Sequence, residues 1–184
     1  KDILFQADDG SGGNTTYFFL DGSATVTVFK KDARFNDNVD IKLGTSNDAS
    51  IFHDGTNTYI DNGTGALVIR NQQDDGDIIF YCDDGSGGLE EYFRLDGSAG
   101  STNPVTVFPD SSYLKFGSSQ DFSFVHNGSQ SYIQNFTGDL QIQNNADDKD
   151  ILFRCDDGSG GLTTYFYLDG SLASGGSVFT VFPD

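Results

Sequence analysis

Tryptophan and methionine are absent from the 184 residues, glutamate occurs only at Glu90 and Glu91, and there are three prolines. Lysine and arginine together number 10. With the good helix formers this scarce, no segment supports a helix of more than a turn. The shortage of cations argues against a nucleic-acid partner, whose phosphates need Lys and Arg, and against adsorption to an anionic membrane. No apolar run approaches the roughly 20 residues that cross a bilayer as a helix. Two cysteines, Cys82 and Cys155, do not make a disulfide framework.

What is abundant points the other way. There are 17 Phe, 8 Tyr and 23 Gly, and all but two of the 28 acidic residues are Asp. Phe and Tyr suit the pleated, half-buried surface of a sheet, while Asp and Gly favour tight turns. The chain reads as all-β, built of short strands and hairpins. Its formal charge of −18 and pI near 4.1 suit solubility and mutual repulsion between assembled particles.

One stretch occurs three times, and self-similarity at a long period signals a repeat architecture. Asp8-Asp9-Gly10-Ser11-Gly12-Gly13 is followed by Tyr17-Phe18 and Leu20-Asp21-Gly22-Ser23. The same pattern returns from Asp83 to Ser98 and from Asp156 to Ser171. Each copy follows an apolar run (Ile3-Leu4-Phe5, Ile78-Ile79-Phe80, Ile151-Leu152-Phe153) and leaves through Thr-Val-Phe at Thr27, Thr106 and Thr180. A second module lies between, from Ile41 to Ile69 and from Leu114 to Ile142, aligning without a gap at a spacing of 73 residues. The organisation is A-B-A-B-A: A over 1–31, 75–110 and 149–184, B over 32–74 and 111–148. Starting and stopping at equivalent points, the chain reads as a fragment of a longer array.

Strand candidates alternate with period two, among them Tyr17–Leu20, Val26–Val28, Leu67–Ile69 and Leu140–Ile142. Asp-Gly, Asn-Gly or Gly-Gly closes each run, a strong hairpin signal. Length varies only after Leu-Asp-Gly-Ser and after Thr-Val-Phe, where the first copy carries Lys30–Asn38; these read as surface loops on a fixed scaffold. Repeats this long do not fit the short coil of a monomeric solenoid, and each module is too thin for a core of its own. An intertwined homotrimeric β-fibre resolves this, with aromatic faces meeting inside and sheet edges paired by neighbouring chains. The alternative is a pair of small β-sandwich domains in tandem.

DILFQADDGSGG…YFFLDGS, LKFGSSQD…HNGSQSYIQN…TGDLQIQN and KDILFRCDDGSGG…YFYLDGS, taken together, resemble the repetitive tail-fibre-like structural proteins of marine tailed phages, the cyanophage type. HDGTNTYIDNGTGALVI is similar to stretches that recur in those proteins. The resemblance covers practically the whole chain. It implies a virion fibre, placed on a virion appendage or outside the cell, that helps to reach or hold the host.

Three constellations invite a chemical reading. Asp8, Asp83 and Asp156 head loops rich in carboxylate and glycine, as a Ca²⁺ site would. They lack the alternating Asp spacing and late Glu of a calcium loop, so a hairpin turn is the expected role. His53 and His126, the only histidines, stand once per B module and in a trimer would form a ring suited to an axial transition metal. Each precedes Asp-Gly or Asn-Gly, so an exposed turn position is expected. Cys82 and Cys155 occupy equivalent places; they read as small side chains facing a packed interior, or as a bond between neighbouring chains.

No enzyme is expected. An active site is a unique feature, and here the acidic clusters recur, Glu90-Glu91 alone excepted. Sequons at Asn14, Asn62, Asn127 and Asn135 would carry glycans only in a eukaryotic secreted chain. The reading is a structural shaft segment of a trimeric fibre whose partner is itself. The rivals are a carbohydrate-binding adhesin module that holds host surface glycans, and a subunit of a secreted extracellular filament.

Overall fold

The computed structural model describes residues 1–100, 103–174 and 177–183. Among them there is no helix, and fifteen strands form five separate antiparallel sheets of three. Two compact units are present, Lys1–Arg70 and Asn71–Asp184. The first unit holds β1 (Ile3–Asp8), β2 (Asn14–Asp21) and β3 (Val26–Phe29) in one sheet, and β4 (Ile41–Leu43), β5 (Ala49–His53) and β6 (Thr58–Asn62) in the next. The second unit holds three sheets. These are β7 (Ile78–Asp83), β8 (Leu89–Asp96) and β9 (Val105–Val107); β10 (Leu114–Phe116), β11 (Phe122–His126) and β12 (Ser131–Asn135); and β13 (Ile151–Asp156), β14 (Leu162–Ser174) and β15 (Ser177–Val181). Every sheet runs in chain order, so each strand pairs with its sequence neighbour.

The three A sheets share one register. Ile3 stands opposite Leu20 and Phe5 opposite Phe18; Ile78 and Phe80 face Leu95 and Phe93, and Ile151 and Phe153 face Leu168 and Phe166. A bulge follows the Phe in each first strand, between Phe5 and Gln6, Phe80 and Tyr81, and Phe153 and Arg154. An extra residue at that point increases the local twist. In the third copy Leu-Asp-Gly-Ser, expected as a turn between strands, is an irregular part of β14, which shifts register between Asp169 and Ser174.

The hairpin loops are held by their own aspartates. Asp9 Oδ1 accepts from the Ser11 amide (2.8 Å), the Ser11 hydroxyl (2.8 Å) and the Gly13 amide (3.1 Å), while the Asp9 amide donates to the Gly13 carbonyl. Gly10 and Gly12 have φ of +83° and +89°, a region that costs an L side chain about 1–2 kcal/mol. The Leu-Asp-Gly-Ser turn uses the same device: Asp96 Oδ1 accepts from the Ser98 amide, the Ser98 hydroxyl and the Ala99 amide at 2.7–2.9 Å. Its glycine has a different reason to be there. A Cβ on Gly97 would stand 2.5 Å from the Gly76 carbonyl oxygen, because the incoming chain crosses directly over it.

Two sequence expectations fail. Leu67–Ile69 and Leu140–Ile142 form no strand in the chain, because no neighbouring segment pairs with them. Cys82 and Cys155 face no packed interior within the chain; both are free and exposed. Nor do sheets close on each other as a sandwich would require. Among the described residues only Val125 and Ser123 are buried, whereas sandwiches bury both inner faces.

Candidate assembly surface

The dominant feature is an apolar face that the chain leaves in water. Residues two apart on a strand share a face, so Ile3, Phe5, Phe18, Leu20 and Phe29 lie on one side of the first A sheet. The rings of Phe5 and Phe18 stack with centroids 4.3 Å apart, and Phe18 meets Phe29 at 5.7 Å. The second copy repeats this at Phe80, Phe93 and Phe108 (4.4 and 5.8 Å), and the third at Phe153, Phe166 and Phe182 (4.4 and 5.9 Å). Each central Phe is half-buried by its neighbours, while the outer ones remain exposed, Phe29 at 59% and Phe182 at 73%.

The two sides of the A sheet differ in what the repeats allow. The Ile/Leu/Thr row and the Phe/Phe/Phe row are identical in all three copies. The opposite side changes from Leu4-Phe19-Val28 to Ile79-Arg94-Val107 to Leu152-Tyr167-Val181. Arg94 is held there by Glu91 (2.8 Å) and Asp96 (2.9 Å), with Asp77 at 3.7 Å. Glu91 and Arg94 are therefore one substitution made in two places, an ion pair where the other copies have Thr and an aromatic ring.

The B sheets are sided as well. Ile41, Ile51 and Ile60 form one cross-strand row, and Leu114, Phe124 and Ile133 form its counterpart. These six are exposed, Ile60 at 60% and Ile133 at 59%. The adjacent row is polar in both copies: Lys42, Ser50 and Asp61, then Lys115, Ser123 and Gln134.

The residues that suggested metal chemistry have other partners. Asp8, Asp83 and Asp156 end the first strand of each A sheet, and their Oδ1 atoms accept the amides of Gly10, Gly85 and Gly158. Their carbonyls receive the hydroxyls of Tyr17, Tyr92 and Tyr165. His53 and His126 end β5 and β11, exposed, with Nδ1 3.2 Å from Thr58 Oγ1 and 3.1 Å from Ser131 Oγ. Asp110 lies 3.9 Å from His126 Nε2. Among the described residues no three His, Cys, Asp or Glu side chains come together as ligands. Two sequon asparagines are also engaged: the Nδ2 atoms of Asn62 and Asn135 donate to the turn carbonyls of Thr64 and Gly65, and of Thr137 and Gly138.

Electrostatics match this use of the acids. Hydrogen bonds from Ser11 and Gly13 hold the Asp9 carboxyl below its ordinary value of 3.8, and Ser86 with Gly88 does the same to Asp84. Asp96 is lowered furthest, to about 2, first by the Ser98 hydroxyl and then by Arg94. Turn aspartates are thus kept ionised by the backbone that they organise.

Sequence reasoning missed the clasp behind each Leu-Asp-Gly-Ser turn. Asp2, Asp77 and Asp150 accept the amides of Gly22, Gly97 and Gly170 at 3.1, 2.8 and 3.0 Å. Each Asp stands immediately before the apolar run of its module, and that repeated Asp-Ile was the available signal. A cleft of about 560 Å³ lies between the second A sheet and the following B sheet, lined by Glu90, Glu91, Tyr92, Asp110, Tyr113 and Lys115 among others. Comparison with protein-family models, with curated proteins and with solved structures returns no match.

Proposed function

We propose that this chain is a shaft segment of a homotrimeric β-fibre, a phage tail fibre or similar virion appendage, that serves host attachment mechanically. The repeat-identical Ile/Phe/Leu face carries the reading, because it stands in water in every A module. The chain exposes 14752 Å², whereas two compact bodies of these sizes would expose roughly 10,000 Å². The surplus exceeds several times the roughly 800 Å² per partner of an ordinary stable interface. The need for a partner comes from this face; the number three is the expectation that three chains wrap a common axis so that their faces meet and their edges pair. The role is non-enzymatic: stacked Phe ladders lie inside, and the Asp-rich turns outside keep neighbouring fibres apart. Light scattering on the purified chain tests it. Three chains of 19.9 kDa should travel together at about 60 kDa, and a stable, folded monomer overturns the reading.

The cleft beside Tyr92 and Tyr113 favours a second reading, a carbohydrate-binding adhesin module. Two tyrosines beside carboxylates offer apolar bodies and polar tips suited to sugars. Glycan-array binding that Tyr113→Ala abolishes would favour it, whereas a shaft predicts no binding.

A further inference from the structure

Ala66–Arg70 and its counterpart Asp139–Gln143 have the character of strands but lack a partner. Each leaves a B sheet through a Thr-Gly turn and runs without a turn or bend. No residue in either has a positive φ. Among the described residues none of their amides or carbonyls makes a backbone hydrogen bond. Leu67, Val68 and Ile69 are 55%, 70% and 61% exposed, and Leu140 and Ile142 are 49% and 61% exposed. An apolar run (Leu67-Val68-Ile69) or an alternating one (Leu140-Gln141-Ile142) whose backbone is unpaired is a template for strand addition.

Each segment is flanked by side-chain hydrogen bonds. Before each, Asn62 or Asn135 ties down the Thr-Gly turn; after each, the Nδ2 of Asn71 or Asn144 donates to the carbonyl of Asp77 or Asp150 at 2.9 Å. We propose that Ala66–Arg70 and Asp139–Gln143 are β-strands completed by a second copy of this chain, an inference that rests on the fibre reading. Each copy supplies both halves of the contact. In every sheet the first and third strands, such as β4 and β6, keep an open outer edge, while the two segments lack an edge to join. The surplus exposed surface is of the size that such association requires. Inter-chain ladders at these two places would link the repeats 73 residues apart with one identical joint.

Amide hydrogen exchange on the intact wild-type chain, run beside light scattering, is the test. If the chain is trimeric and the amides of 66–70 and 139–143 exchange at least about a hundredfold more slowly than those of the Asp8–Gly13 loop, the inference holds. A trimer in which these amides exchange as fast as the loop overturns the inference and leaves the fibre reading standing. A folded monomer overturns both. Val68→Pro with Gln141→Pro provides a second arm, since these amides have no partner within the chain. The pair should weaken assembly while the β-sheet circular dichroism persists; Val68→Thr, which keeps the amide and the β-propensity, should not. A double-proline chain that assembles as tightly as wild type also overturns the inference.

Discussion

Phe80 and Phe93 lie ring to ring across the first strand pair of the second A sheet, centroids 4.4 Å apart and planes 14° from parallel. Phe5 with Phe18 and Phe153 with Phe166 adopt the same arrangement at 4.3 and 4.4 Å, both at 10°. The central ring of each trio also meets a third ring, Phe29 in β3, Phe108 just after β9 and Phe182 just after β15, so it is the one whose removal breaks the row. Phe93→Ala is therefore expected to cost about 3–5 kcal/mol per chain in the assembled state, as for a buried Phe. Tyr167→Ala, on the variable side, should cost clearly less. Denaturant melts of both variants compare the two faces; equal losses would remove the distinction between them.

Gly97 is a position where no side chain fits. Its Cβ would meet the Gly76 carbonyl at 2.5 Å, and one on Gly22 would meet the Lys1 carbonyl at 2.6 Å. Gly97→Ala must push the incoming chain off its clasp and strain the Asp77 hydrogen bond. A loss of about 1–3 kcal/mol is expected from overpacking. Gly63→Ala, whose Cβ would have its nearest neighbour at 3.3 Å, should be milder. Thermal melts of the two variants give the comparison.

Stability should fall on acidification through the turn aspartates. Their folded pKa values lie below the unfolded ones, so their contribution is present above 3.8 and is lost as pH drops through the folded values. For Asp96 the window extends down to about 2. A carboxyl ¹³C titration should place Asp96 near 2. Ser98→Ala, which removes the largest cause, should move it back toward 3.8. A midpoint near 3.8 in the wild type would show that the turn is not closed in solution.

Glu91 and Arg94 should be coupled. Arg94→Ala leaves Glu91, Asp77 and Asp96 facing one another, so it should destabilise more in the wild type than in a Glu91→Thr background. A double-mutant cycle by urea melt measures this; additive losses would mean that the pair is only a surface accident.

Calcium and EDTA should leave the melting curve unchanged, since Asp8, Asp9 and their copies already accept backbone amides. A rise in melting temperature with Ca²⁺ that Asp9→Asn removes would reinstate a cation site.

Much of this was legible in the residues. The Asp-Asp-Gly-Ser-Gly-Gly and Leu-Asp-Gly-Ser segments mark turns because Asp and Gly have local reasons to be there, independent of anything distant. The Ile-Leu-Phe and Tyr-Phe runs mark strands through their alternation. Leu67–Ile69 reads as a strand by the same rule and is unpaired, because alternation reports what a segment would bury without saying whose backbone it meets. Cys82 and Cys155 mislead for a related reason: a small apolar residue suggests an interior, yet a single three-stranded layer has none within the chain. The acidic loops and histidines read as turn positions ahead of ligand sites, and geometry adds the partners that hold those turns. The Asp77–Gly97 clasp spans 20 residues, too far for turn chemistry to announce it.

Because each sheet is made of consecutive strands, each can close as soon as its own segment is available, without waiting for the rest of the chain. Folding of the parts is then fast and local, while in the proposed fibre joining them would be slower and depend on concentration. A chain with three interchangeable Ile/Phe/Leu faces offers a neighbour several staggers, one repeat apart, that satisfy the same contacts. Only what is not repeated could tell them apart, such as Lys30–Asn38 after the first A sheet and the Glu91–Arg94 pair on the second. In the proposed fibre these irregularities would supply alignment, marking which copy of a repeated face stands beside which.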